Sequence, residues 1–180
     1  MGTVQTGLVT FEEFASLPDP LEGHLELHHG QVVLMPPRKL PHVIVQQALL
    51  ELLLPLTRGK GFVSNEFPFR PLPEYESWQA DVAFIARERW KNTYDYFPGA
   101  PDLVIEVLSP SNTKAEILER QEICLSNGCS AFWTVNPKRR LVLVTGVDRK
   151  TVTFDCSMSV PLPKPLGGTI PVASIFEDAP

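Results

Sequence analysis

Several things the sequence lacks narrow its reading before any motif is considered. No apolar run approaches the roughly 20 residues that cross a bilayer, so neither a spanning helix nor a membrane partner is expected. The opening stretch MGTVQTGLVTFEEF has no basic segment followed by an apolar one and does not read as a secretory signal. Cysteine is scarce: Cys124, Cys129 and Cys156 form no CxxC pair and leave an odd number. That disfavours a disulfide framework or structural zinc and points to a reducing cytoplasm. Repeats and low-complexity tracts are absent. Positive charge is in deficit, with 16 Lys and Arg against 21 Asp and Glu, for a net charge of -5. This argues against a surface that grips nucleic acid all over, and leaves room for a local basic groove around an acidic centre.

What is present is the composition of a globular protein, 43% hydrophobic and 21% charged over 180 residues, which suits one domain spanning 1–180. Thr10 as N-cap with Glu13 three residues on predicts a short helix stopped by Pro18. HLELHHGQVVLM reads as a hairpin turning at His29-Gly30, broken by Pro36 and Pro37. Pro41 to Leu56 reads as a long helix with Val43, Ile44, Ala48, Leu49, Leu52 and Leu53 on its apolar stripe. Strands follow at 62–69, 79–86 and 103–108, then a helix over Lys114 to Ser126 closed by Asn127-Gly128, and a strand over Ala131 to Val135. A late hairpin turns at Asp148-Arg149, before a Pro- and Gly-rich tail.

The anomaly that carries chemistry is an acid inside an aliphatic strand. In PDLVIEVLSP, Asp102, Val104 and Glu106 share one face by the two-residue period. A carboxylate buried there needs a cation, a metal or a raised pKa. A second acid, Asp81, begins the apolar strand ADVAFI. Two carboxylates brought together by adjacent strands make a hard oxygen site suited to Mg²⁺ or Mn²⁺, able to position water at a phosphodiester.

At this point the sequence resembles a known family. LELHHGQVVLMPP, PHVIVQQALLELL, QADVAFI, GAPDLVIEVLSPSN and SNGCSAFWTVNP follow one another with the spacing of the Uma-two endonucleases, within the PD-(D/E)XK superfamily. The similarity covers residues 22–145. It implies an α/β fold of restriction-endonuclease type: a mixed four-stranded sheet flanked by helices, in the order helix-strand-strand-strand-helix-strand, with the two hairpins as additions. It also implies a divalent metal at Asp81 and Glu106 and hydrolysis of nucleic-acid phosphodiesters, DNA above all. The family's lysine two residues after the strand glutamate is Leu108 here, and a lysine that relatives carry on the following helix aligns with Arg120. The tyrosine one turn later corresponds to Cys124, and the proline before the first acid to Ala80. Arg120 can hold a phosphate but is a poor proton acceptor.

Other side chains carry open alternatives. Lys114, in the first turn of the second long helix, is a candidate migrated lysine; the plainer reading pairs Glu106 with Arg120 or Lys114. Glu26, His42, Asp102 and Gln121 are candidate supporting residues, each with an ordinary structural role as its alternative. His24, His28 and His29 look like a cluster, but His28 and His29 point to opposite faces of a strand, so a zinc site is not expected. The leading expectation is a metal-dependent endonuclease acting as a homodimer, since cutting two strands needs two centres. The alternative is a catalytically degenerate nuclease-fold domain that binds nucleic acid or protein.

Overall fold

The computed structural model describes residues 7–91, 95–109 and 112–179. The chain begins with helix α1 (Phe11–Ala15), whose capping box closes between Thr10 and Glu13 as the sequence implies. Strands β1 (His24–His28) and β2 (Gln31–Met35) form the antiparallel hairpin, with His29 at φ 50 and Gly30 at φ 71 making the turn. Helix α2 (Leu40–Thr57) follows, then β3 (Gly61–Arg70), β4 (Trp78–Ala86), the short β5 (Phe97–Pro98) and β6 (Leu103–Val107). Helix α3 (Lys114–Ser126) has the boundaries read from the sequence and a second capping box, Thr113 with Glu116. β7 (Ala131–Asn136) and the hairpin of β8 (Leu141–Gly146) and β9 (Thr151–Phe154) come next. The tail adds β10 (Ser159–Pro161), β11 (Thr169–Pro171) and the short helix α4 (Val172–Ile175).

The main sheet is mixed and has seven strands in the order β5-β3-β4-β6-β7-β8-β9. The expected four strands, β3, β4, β6 and β7, are its centre. The late hairpin is no separate addition; it continues the sheet antiparallel from β7 through β8 to β9. β6 and β7 run parallel, joined by α3 as a crossover. β6 is buried along its whole length, which accounts for its aliphatic run.

Alternation divides the core between the two faces. On one, Val45, Leu49 and Leu53 of α2 pack with Val82, Phe84, Leu103, Ile105 and the tail residues Ile170, Ile175 and Phe176. On the other, Ile117, Cys124 and Leu125 of α3 pack with Ala83, Ile85, Val104 and Phe132. The buried stripe of α2 is Val45, Gln46, Leu49, Leu53 and Thr57; it shares Leu49 and Leu53 with the expected one, whereas Ile44, Ala48 and Leu52 are half-buried and Val43 is 42% exposed. The helix is apolar nearly all round, so periodicity could not choose its inner face. For the same reason it is long and apolar enough to cross a membrane by length and composition alone, contrary to expectation. Here it lies along the sheet.

Candidate active site

The sheet opens at Asp81. The β4–β6 ladder runs Phe84↔Leu103, Ala83↔Val104, Val82↔Ile105 and stops there. One step further, Asp81 stands opposite Glu106. Alternation puts Glu106 on the α3 face with Val104, but on β4 it switches at Asp81, because Ala80 and Ala83 both pack on that face. The β3–β4 ladder skips the same position, pairing Asn65 with Val82 and Phe67 with Ala80. Side chains replace the missing backbone bonds. Asp81 Oδ2 accepts the Val107 N–H at 2.7 Å, and Gln46 Nε2 donates to the Asp81 carbonyl at 3.1 Å.

The other oxygen of Asp81 is crowded. Arg38 donates to Oδ1 from Nε at 2.9 Å and from a terminal nitrogen at 2.7 Å, Gln46 Nε2 donates at 3.3 Å, and His42 Nε2 lies 3.1 Å away. Burial works to raise the Asp81 pKa, but the His42 hydrogen bond, the charges of His42 and Arg38, and the Val107 amide hold it below the usual carboxylate value.

Glu106 has the opposite balance. It is 7% exposed, and its Oε1 has no hydrogen-bond partner among the described residues; Arg120 lies 3.4 Å away. Burial pushes its pKa up to about 8 against the pull of Arg120, and the charges of Asp81 and Glu26 add to the rise. Arg120 is shared. It pairs with Glu26 at 3.1 Å, donates to the Gln79 carbonyl at 3.3 Å, and its guanidinium lies 5.0 Å over the Trp78 ring. Glu26 is 1% exposed and also accepts the Gln79 N–H at 2.8 Å. Burial alone would raise its pKa; the Arg120 charge and the hydrogen bonds from His24 and His28 bring it well below the usual range.

The structure thus links Glu106, Arg120 and Glu26 by ion pairs and Asp81 with His42 and Arg38, and the Asp81 charge acts on Glu106. Three other candidates lie elsewhere. Asp102 shares a strand face with Glu106 but sits at the far end of β6, about 13 Å along the strand at ~3.3 Å per residue. Its carboxylate accepts the Ala86 N–H at 2.8 Å and pairs with Arg89 at 3.1 Å, a structural role. Gln121 accepts a hydrogen bond from Thr145 on β8 at 2.9 Å. Lys114 is exposed, and no ion pair among the described residues includes it. The histidines do not converge: His24 and His28 face Glu26, whereas His29 faces Glu76 and Glu119. Arg38, Glu66 and Gln46 are not among the sequence candidates, yet Arg38 and Gln46 both donate to Asp81.

A model of the Uma2 family, described as putative restriction endonuclease, matches residues 11–170. The chain belongs to the Uma2 family. A solved structure from Anabaena variabilis ATCC 29413, described as a putative nuclease belonging to DUF820, is similar over 94% of this chain and 98% of that one. It is 21% identical with a TM-score of 0.83, a likeness that establishes the nuclease-like fold. No curated protein matches the chain.

Within the Uma2 frame the departures have visible consequences. Leu108 packs against the core on the α3 side, where a lysine would otherwise approach the acids. Cys124 is fully buried, and burial pushes its thiol well up, so it supplies no nucleophile. Restriction-endonuclease-like families generally use divalent metals. The residues here fit one in kind: Asp81 and Glu106 are hard oxygen donors on neighbouring strands, and Glu106 Oε1 has spare acceptor capacity. Among the described residues no group of three or more His, Cys, Asp or Glu is arranged as a metal cluster. A cation held by one or two carboxylates takes its remaining ligands from water and substrate phosphate, as Mg²⁺ commonly does.

Proposed function

We propose that the chain is a metal-dependent endonuclease that hydrolyses nucleic-acid phosphodiesters, DNA in particular, with Mg²⁺ or Mn²⁺ held by Asp81 and Glu106. The observation that carries this reading is the buried Glu106, one register step beyond the β4–β6 ladder from Asp81, whose Oε1 has Arg120 at 3.4 Å and no hydrogen bond among the described residues, in a chain of a nuclease family. A divalent cation in such a site lowers the pKa of bound water and offsets charge developing on the phosphate.

The chain's own residues supply orientation and fixed charge. The Val107 N–H and the Gln46 amide hold Asp81 in place. Glu26 accepts from Arg120 and so fixes its guanidinium beside Glu106. Arg120 offers permanent positive charge to a phosphate oxygen but cannot take a proton at neutral pH, so it stabilises charge and does not act as base. A homodimer, bringing two such centres to two strands, belongs to the same proposal.

The test is incubation of purified protein with DNA, and in parallel RNA, plus Mg²⁺ or Mn²⁺, beside Asp81→Ala and Glu106→Ala. Cleavage by the wild type and by neither variant is expected; cleavage that survives both substitutions removes this site from the reaction. A second reading, a binding domain that kept the fold without the chemistry, is favoured by Leu108 and by Lys114, which is exposed and makes no ion pair among the described residues. Calorimetry separates the two, because a binding-only domain takes up no Mn²⁺ even at millimolar concentration.

A further inference from the structure

The pair of acids is part of a longer line, and an arginine already sits on it. The register that skips Asp81 in the β3–β4 ladder sets Glu66 opposite Asp81 on one side, as Glu106 is on the other. Glu66, Asp81 and Glu106 therefore occupy one row across three neighbouring strands. Glu66 has φ 48, a left-handed conformation that breaks the ladder there, and its side chain is half exposed. Arg38 reaches this row from the link between β2 and α2. It binds Asp81 Oδ1 through two nitrogens, and its remaining terminal nitrogen lies 3.8 Å from Glu66 Oε1. Its side chain is 16% exposed.

The geometry points to Arg38 as an internal latch on the metal site: its guanidinium holds the place a divalent cation takes, and on its departure Glu66 becomes a third carboxylate for that cation. This inference rests on the metal reading above and adds a ligand and a competitor to it. Asp81 Oδ1 receives donors from Arg38 and Gln46 with His42 alongside, so its acceptor capacity is used up while Arg38 is in place. Oδ2 is committed to the Val107 amide. A cation can therefore bind Asp81 fully only at the expense of Arg38, and two positive charges a few ångströms apart repel. Arg38 is well placed to leave. It lies outside both flanking elements, just before the α2 N-cap Lys39, so turning its side chain outward keeps the backbone bonds of β2 and α2. Glu106 Oε1, buried and lacking a hydrogen-bond partner, marks the other end of the row as short of a cation even with Arg38 and Arg120 present.

The experiment measures Mn²⁺ binding to the full chain by calorimetry and by loss of the free Mn²⁺ electron-spin-resonance signal. The proteins are wild type, Arg38→Met, Arg38→Lys, and Arg38→Met with Glu66→Gln, each checked for folding by circular dichroism. A latch closed about nine-tenths of the time weakens apparent affinity roughly tenfold. Arg38→Met is thus expected to bind about tenfold more tightly than wild type, with Arg38→Lys, which keeps charge and fold, in between. Adding Glu66→Gln is expected to weaken that binding several-fold. If wild type binds and Arg38→Met binds equally or less well, the latch is wrong and the metal reading stands. If Glu66→Gln changes nothing in the Arg38→Met background, the third-ligand role is overturned. If no variant binds at millimolar Mn²⁺, the metal reading falls and the latch with it.

Discussion

Replacing Glu106 by Gln isolates the cost of keeping a carboxyl group inside an apolar strand. Burial raises the Glu106 pKa from 4.5 to about 8; Arg120 opposes the shift and Asp81 reinforces it. Between those values the folded protein holds a proton that the unfolded chain releases, so stability falls as pH rises through the window. At about 1.4 kcal/mol per pK unit, the gap sets a ceiling near 5 kcal/mol, and relaxation around the group makes about 2 kcal/mol a realistic minimum. Glutamine is neutral throughout and removes that slope while keeping the shape. Urea unfolding at pH 5 and pH 8 in the presence of a chelator reads the difference. Wild type is expected to lose about 2–3.5 kcal/mol relative to Glu106→Gln across that interval. Adding Mn²⁺ at pH 8 is expected to restore wild type, by mass action on the native state, and to leave the variant unchanged. Parallel pH dependence in the two proteins would refute the argument that burial governs this carboxyl.

Three further outcomes follow from the same geometry. Arg120→Met leaves Glu26 buried without its strongest partner and is expected to destabilise the fold by about 3–5 kcal/mol in urea melts, with Arg120→Lys recovering part of the loss. Asp102→Asn weakens the contacts to Ala86 N–H and Arg89, and is expected to cost about 1–3 kcal/mol while leaving metal-dependent cleavage per folded molecule intact. Although burial opposes it, the Glu26 pKa is held well below 4.5 by the Arg120 charge and the His24 and His28 hydrogen bonds. The stability it contributes is present above that value and lost as pH falls below it, so thermal melts between pH 5 and pH 3 are expected to decline less steeply in Glu26→Gln.

The elements that could be read from the sequence are those where one local pattern dominates. Thr10 with Glu13 and Thr113 with Glu116 fix two helix starts by capping chemistry. A carboxylate in the middle of LVIEV has few explanations, so Glu106 marked itself. Asp81 followed because it opens the neighbouring apolar strand. The inner face of α2 was hidden because apolar residues surround the helix. Gln46, an amide between the buried Val45 and Leu49, is the polar interruption that marks the contact with Asp81. Arg38 sits beside a Pro-Pro break with no periodicity to read, and Glu66 declares itself only through a cross-strand register that no single strand encodes. Asp102 misled because alternation gives the face of a residue and says nothing about its distance along the strand.

The cluster's charges do not close, and that mismatch is its most telling property. Glu26 is matched by Arg120 and Asp81 by Arg38, each pair supported by hydrogen bonds. Glu106 is the surplus acid: among the described residues its one ion pair is with an Arg120 nitrogen that also donates to the Gln79 carbonyl and to Glu26. A site selected for stability alone would carry a neutral or apolar side chain at 106, because its strand neighbours Ile105 and Val107 are apolar and replacing buried ions by well-packed residues is often stabilising. Under the metal reading proposed above, an acid kept there holds a proton in the resting protein and exchanges it for a cation. Arginine in place of lysine fits that division of labour. A permanently charged guanidinium keeps Glu26 ionised and holds its own position at every physiological pH, leaving Glu106 as the buried acid whose charge remains to be set by what binds.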